Sequence, residues 1–358
     1  MELKEKVKNL PSCPGVYLMK DSLNSIIYVG KSKNLKSRIG SYFQNSKSHP
    51  PKVVKLVKNL KDFEYLTTDT EFEAFLLECK LIKQIKPIYN KLMKSPKSYT
   101  YIKVNLNISY PSIEISNAVD KNDANLYFGP YTQKNTVQRA LDGIKESCKI
   151  LCNSNFQKTS SCLNYSLGLC IGMCFDISGR EQYLAIFDKI IKLLNGTDKS
   201  ILDEIEYKMV ISSQNFDFEN AAKYRDYLKA VNYLLDKNNV VKFTKENKNI
   251  ILIEYLDKDA FKVFLIKGYK ILFKEKYSLN NLSISEVKGI LKNKVTLCFD
   301  NTINYSIDIG NEEIDESQII YAYLNNKSNN CKYIIIPDQC VNSLNNTNID
   351  NILNELLP

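Results

Sequence analysis

Histidine occurs once in the 358 residues, as His49. That scarcity sets aside histidine-rich zinc centres and a Ser-His-Asp triad, so acid–base chemistry falls to carboxylates, lysines and tyrosines. Long apolar runs are also missing: none approaches a membrane span, and the opening MELKEKVKNL has no signal-peptide core. These absences point to a soluble, cytoplasmic chain with no membrane partner. A reducing compartment in turn sets aside a disulfide framework and leaves the ten cysteines as core thiols or metal ligands. An acidic excess is absent too, since net charge is +9. Residues 1–100 hold 19 Lys and Arg against 9 Asp and Glu, and the remainder 30 against 31. A basic balance confined to the first hundred residues fits a domain facing nucleic acid. A lysine-rich solubilising surface would produce the same count.

The length allows two or three domains with real cores. PSCPGVYL at 11–18 and IIYVG at 26–30 read as short strands, followed by a cationic helix and a loop holding His49, which reads as incidental. Residues 53–60 have helical spacing, and FEYLTT reads as a third strand. EFEAFLLECKLIKQI at 71–85 forms an amphipathic helix with Phe72, Phe75, Leu76, Cys79 and Ile82 on one stripe, ended by Pro87. Farther on, SYTYIKV and NLYFGPY suggest strands and a tight turn, and 180–238 reads as helical. From 248 onward IILIEYL, FKVFLIKGYKILFKEKYSL and KYIIIP read as strands, whereas the Asn/Ser-rich stretches near 301–330 and 341–350 look like loops.

The stretch IYVGKSKNLKSRIGSYF at 27–43 carries the chemistry. Cleaving a phosphodiester needs an activated water, a cation on the non-bridging oxygens and support for the leaving oxygen. Tyr17 and Tyr28 can lie side by side on neighbouring strands, and a phenol whose pKa is lowered by nearby cations can take a proton from water. Lys31 and Arg38 supply positive charge, and Arg38 can grip phosphate with two donors. Glu78 on the amphipathic helix offers one oxygen ligand, which suits Mg²⁺ or Mn²⁺.

Gly15-Val16-Tyr17, ten residues, then Tyr28-Val29-Gly30 resembles the GIY-YIG nuclease signature. GVY…YVGKSKNL with Arg38 and SYF is similar to the N-terminal domain of the UvrC family, the nuclease subunit of bacterial excinuclease ABC. Arg38, Tyr42 and the run LLECKLIKQIKPIYN, with Glu78 and Asn90, add to the match. The resemblance implies Tyr28 as general base, Glu78 as sole protein metal ligand, and Arg38 and Lys31 on the scissile phosphate. It also implies that Tyr17 and Tyr42 orient water or phosphate and that Asn90 braces the site.

Cys152-x9-Cys162-x7-Cys170-x3-Cys174 packs four thiols into 23 residues, with Cys148 nearby. Four thiolates suit tetrahedral Zn²⁺ or an iron–sulfur cluster, and the lack of CxxC pairs leaves the metal open on spacing alone. The UvrC resemblance implies a [4Fe–4S] cluster on Cys152, Cys162, Cys170 and Cys174, with Cys148 a buried thiol.

EIEYKMVISSQNFDFENAAKYRDYLKAV resembles the UVR motif, a helical hairpin by which UvrC contacts UvrB. The matching residues are Met209, Phe218, Glu219, Ala221, Ala222, Arg225 and Asp226. The Ala221-Ala222 pair permits close helix approach, and Arg225 and Asp226 offer orientation-setting charge. Full-length relatives continue into an RNase H-like nuclease domain and helix-hairpin-helix modules. The chain ends before either, which predicts a shortened, Cho-like form that cuts only on the 3′ side.

The expected architecture is therefore α+β and multidomain. It comprises a GIY-YIG nuclease domain (1–97), a linker section with the four-cysteine motif (98–180), a helical region (181–240) with the UVR hairpin at about 201–236, and a β-rich segment (245–358). The expected function is DNA incision in nucleotide excision repair, with damaged duplex and UvrB as partners and UvrA acting upstream. The competing reading is a non-incising UvrB-binding accessory, which has no need of a complete metal and phosphate set.

Overall fold

The computed structural model describes residues 3–44, 50–90, 99–106, 110–120, 122–151, 161, 163–174, 177–299, 313–326, 330–337 and 346–357. His49, Cys152 and Cys162 lie outside the described residues. The chain packs as two compact units, one made of 1–96 with 243–358 and the other of 97–242.

The first unit begins with α1 (Leu3–Lys8) and strands β1 (Gly15–Lys20) and β2 (Ile26–Ser32). Then come α2 (Leu35–Ser41), α3 (Pro51–Asn59), β3 (Asp62–Thr67) and α4 (Glu71–Ile85). The strands form an antiparallel sheet in the order β2-β1-β3. Helix α4 has the bounds its sequence implies, because chemistry marks both ends. The Thr70 hydroxyl accepts from the Glu73 N–H at 3.1 Å, and Lys86 turns left-handed at φ 52° before Pro87.

The second unit holds β4 (Thr100–Asn105), β5 (Ser112–Ser116) and β6 (Leu126–Tyr131), paired antiparallel in the order β5-β4-β6. Helices α5 (Lys134–Ser147), α6 (Leu163–Ser166), α7 (Ile177–Leu194), α8 (Ser200–Gln214) and α9 (Phe218–Glu246) follow. The expected hairpin is α8 and α9, turned at Phe216 with φ 59°. Its base is anchored on α5. Tyr224 and Tyr227 each donate to Glu146 at 3.1 Å, Lys223 pairs with Glu146 at 2.7 Å, and Gly143 leaves room for the Tyr227 ring.

The rest of the first unit contains β7 (Asn249–Tyr255), β8 (Ala260–Lys267), β9 (Lys270–Ser278), α10 (Ile284–Phe299), α11 (Glu313–Asn325), β10 (Cys331–Ile336) and α12 (Asn346–Leu356). Its sheet is antiparallel in the order β10-β7-β8-β9. Ile251, Ile253, Val263 and Leu265 pack under α10 and α12. The alternate residues Ile250, Leu252, Phe264 and Ile266 meet α4 and α11. Both faces are covered, which is why these strands read as unbroken apolar runs.

Two expectations need correction. The stretches taken as loops contain α11 and α12, so the segment after 245 is mixed rather than simply β-rich. Ile314, Ile320 and Tyr323 mark the buried stripe of α11 inside an Asn- and Ser-rich region, and composition hid the period. The residues read as one stripe on α4 also divide between two faces. Phe72, Phe75, Leu76 and Cys79 pack toward β7, β8 and α11, while Ala74, Leu77 and Ile82 cover β1 and β2.

Candidate active site

The site grows from the pairing of β1 with β2. Tyr17 lies opposite Gly30, and Met19 opposite Tyr28, so the two tyrosines are diagonal neighbours on one face. Their ring centroids are 6.1 Å apart. Gly30 makes this possible, because a Cβ there would sit 2.5 Å from the Tyr17 phenol and 2.8 Å from the Tyr28 ring. Gly15 is required in the same way, its added Cβ colliding with the Leu66 carbonyl oxygen and the Leu35 side chain.

Helix α2 brings the cation. The Asn34 side chain caps its start by accepting from the Ser37 N–H at 2.9 Å, and Leu35 and Ile39 seat it in the core. Arg38 then reaches the site, where its Nε donates to the Tyr17 hydroxyl at 3.4 Å. Tyr42, at the C-terminal end of α2, shares a hydrogen bond with the Tyr17 hydroxyl at 2.8 Å, and the Arg38 guanidinium lies 5.2 Å from its ring centre. Three phenols and one guanidinium therefore converge.

The carboxylate arrives from α4. Glu78 Oε1 accepts the Lys31 backbone N–H at 3.0 Å, which ties the helix to the end of β2. The Lys31 ammonium pairs with Glu71 at 3.0 Å and lies 3.5 Å from the Phe75 ring centre. Lys31 is thus held by α4 rather than left open to a phosphate, a partner that charge counting along 27–43 had no means to reveal. Asn90 is clamped to the strand between Tyr28 and Gly30. It accepts the Val29 N–H at 3.0 Å and donates to the Val29 carbonyl at 2.8 Å.

Burial decides the electrostatics. The Tyr28 hydroxyl is pushed up to about 12 by burial first, then by Tyr42 and the Glu78 carboxylate, with Arg38 opposing. Tyr17 is raised well above the usual phenol range by burial and then Tyr42. Cations do not dominate at Tyr28 as expected, because desolvation and acidic neighbours outweigh the one guanidinium. Glu78 is itself raised by burial, against the Lys31 N–H and the charges of Lys31 and Arg38.

Glu78 fits a hard cation in donor type, since Oε1 is used by Lys31 and no hydrogen bond is described for Oε2. The cysteine motif is only partly described. Cys170 and Cys174 are buried, and Cys170 Sγ accepts the Gly172 N–H at 3.5 Å. Among the described residues, no three His, Cys, Asp or Glu side chains gather as a metal site.

At the hairpin, Phe216 and Phe218 are 78% and 66% exposed and stand edge to face at 6.2 Å. Glu219 is exposed beside them, and Ala221 and Ala222 are half-buried in the next turn. Arg225 closes on its neighbour Asp226 at 2.9 Å. Sequence reasoning missed Phe216, whose left-handed backbone makes the turn.

Three family models match in succession: a UvrC-like GIY-YIG domain over 13–91, the middle domain of the UvrC/Cho excinuclease over 99–193, and the UvrB/UvrC motif over 199–234. The chain belongs to the UvrC family. The UvrABC system protein C of Clostridium perfringens is 35% identical over 343 residues, covering 94% of this chain and 55% of that protein. Its counterpart in Alkaliphilus oremlandii is 36% identical over 346 residues, covering 94% and 56%. This UvrC-family chain thus spans about half the length of the curated relatives it matches. A crystal structure of the GIY-YIG N-terminal endonuclease domain of Thermotoga maritima UvrC, bound to magnesium as its catalytic cation, is 34% identical. It covers 25% of this chain and 97% of that one, with a TM-score of 0.23. Among the described residues, no helix is long and apolar enough to cross a membrane.

Proposed function

We propose that the chain is a divalent-metal-dependent DNA endonuclease of nucleotide excision repair, nicking the damaged strand on the 3′ side of a lesion. The observation that carries this reading is the convergence of Tyr17, Tyr28, Tyr42 and Arg38, with Glu78 tied to the same strand through Lys31. Tyr28 is the general base: it takes the proton of the attacking water, and the hydrogen-bonded Tyr17–Tyr42 pair orients the reacting groups. Arg38 neutralises charge on the non-bridging oxygens as the phosphorane develops. Lys31 acts at the site mainly through its backbone N–H, which fixes one Glu78 oxygen. Asn90 holds the Tyr28 strand in register. Glu78 would hold Mg²⁺ or Mn²⁺, which would supply positive charge to the site and favour ionised forms of its acidic neighbours.

Recruitment by UvrB, with UvrA acting upstream, is supported by the exposed Phe216–Phe218 tip on a hairpin whose base is fixed by Glu146. Phe218, Glu219, Ala221, Ala222, Arg225 and Asp226 form the proposed contact. A [4Fe–4S] cluster on Cys152, Cys162, Cys170 and Cys174 would be structural. Leu151 donates to the carbonyl of Leu169 at 3.3 Å, which ties the chain at 151 to the segment that carries the buried Cys170. The setting proposed for this work is the cytoplasm.

The test offers a lesion-bearing duplex with UvrA and UvrB to the wild type and to Glu78→Ala. The reading expects a Mg²⁺-dependent 3′ nick from the wild type alone. Absence of any nick, with UvrB binding retained, would favour the accessory reading. An equal nick from the variant would remove Glu78 from the site.

A further inference from the structure

We infer that the segment after 243 is a positioning platform for the nuclease site, acting through an ion cluster centred on the buried Glu73–Lys262 pair that sets the register of α4. This rests on reading Glu78 as the metal-binding carboxylate. Glu73, in the first turn of α4, has a side chain only 7% exposed and both of its oxygens occupied. Lys262 of β8 meets Oε2 at 2.8 Å, and Lys274 of β9 meets Oε1 at 2.8 Å. Lys262 also bonds Asp69, just before the helix cap, at 2.5 Å. At the other end of α4, Lys83 pairs with Glu316 of α11 at 2.7 Å. Between these anchors Phe72 packs on Phe264 and Tyr323, with ring centroids 5.2 and 4.7 Å away.

The two kinds of contact do different work. Apolar packing is non-directional and leaves a helix free to settle in more than one axial position. A buried ion pair adds little net stability, because desolvation offsets its attraction, but it is satisfied in one register only. Glu78 lies five residues after Glu73 on the same rigid helix, and its bond to the Lys31 N–H depends on where α4 sits along β2. Lys262, separated from Glu73 by 189 residues, is therefore a positioning residue for the metal carboxylate.

The experiment measures Mn²⁺ binding to the full chain by electron paramagnetic resonance, with thermal melting alongside. Lys262→Met should weaken Mn²⁺ binding about tenfold, the scale of a lost supporting contact. Lys262→Arg should restore it to within about twofold. The neutral double variant Glu73→Gln/Lys262→Met guards against simple misfolding: it should melt close to wild type and still bind Mn²⁺ weakly. Wild-type Mn²⁺ affinity in a folded Lys262→Met or double variant would overturn the inference while leaving the nuclease reading intact. Wild-type affinity in Glu78→Ala would instead overturn the metal assignment, and the inference with it.

Discussion

Gly30→Ala is the sharpest perturbation of the site, because it adds one methyl group and removes nothing. The new Cβ would lie 2.5 Å from the Tyr17 phenol and 2.8 Å from the Tyr28 ring, whereas ordinary contacts begin near 3.4 Å. Tyr17 must therefore retreat by about 1 Å, the scale of misplacement that costs about a hundredfold in rate. It has little room, being 1% exposed and held by Tyr42 at 2.8 Å and Arg38 at 3.4 Å. Overpacking of this kind costs about 1–3 kcal/mol. The matched control is Gly289→Ala on α10, where an added Cβ meets nothing within 4 Å. It should stabilise by about 1 kcal/mol through helix propensity and leave incision unchanged. Denaturant melts and the lesion-duplex nicking assay, run on both variants, read the two effects. Full incision by Gly30→Ala, or equal loss from both variants, would refute the argument that Gly30 spaces the phenols.

Asn90→Ala strips Val29 of both backbone partners in a buried setting, at a cost of about 2–3 kcal/mol for the unpaired groups. Hydrogen-exchange mass spectrometry should show lost protection at the Val29 amide, and incision should fall with it; unchanged protection would contradict the clamp. Glu78 gives a pH signature, since its folded pKa is raised by burial. Mn²⁺ binds the ionised form, so affinity should weaken as pH falls through that raised value. In the metal-free protein the stability linked to the protonated carboxyl is present below its unfolded pKa and lost as pH rises through the folded one. Glu78→Gln should remove that slope and abolish stabilisation by Mn²⁺; a retained slope would assign it elsewhere.

Much of the first hundred residues was legible because local chemistry marks each boundary. Thr70 and Pro87 bracket α4, Asn34 caps α2, and the two signature glycines sit where side chains collide. The site itself was legible as residue types in order, and the structure brings Tyr17, Tyr28, Arg38, Tyr42, Glu78 and Asn90 to the paired strands β1 and β2. What stayed hidden depends on partners distant in the chain. A period of 3.6 says that α4 has an apolar stripe but not which sheet receives it. This helix has two, with Ala74 and Ile82 on the β2-β1-β3 sheet and Phe72 and Cys79 on the later one. Glu71 as the partner of Lys31, and Lys262 as the partner of Glu73, are separated from them by 40 and 189 residues. Neither pair leaves a local trace.

The ionisation of Tyr28 shows why counting cations falls short of predicting a base. Moving a phenol from about 12 to neutrality requires about 7 kcal/mol of differential stabilisation of its anion. Arg38 works in that direction, but burial, Tyr42 and Glu78 all work against it. The same burial raises Tyr17 and Glu78, and at Tyr17 the neighbouring phenols of Tyr42 and Tyr28 add to it. Positive charge added near Glu78 would favour the ionised form of each neighbour, whereas ionisation of one makes the next more costly. A base built this way needs added positive charge before it gives up its proton, and an anionic phosphate by itself works against that.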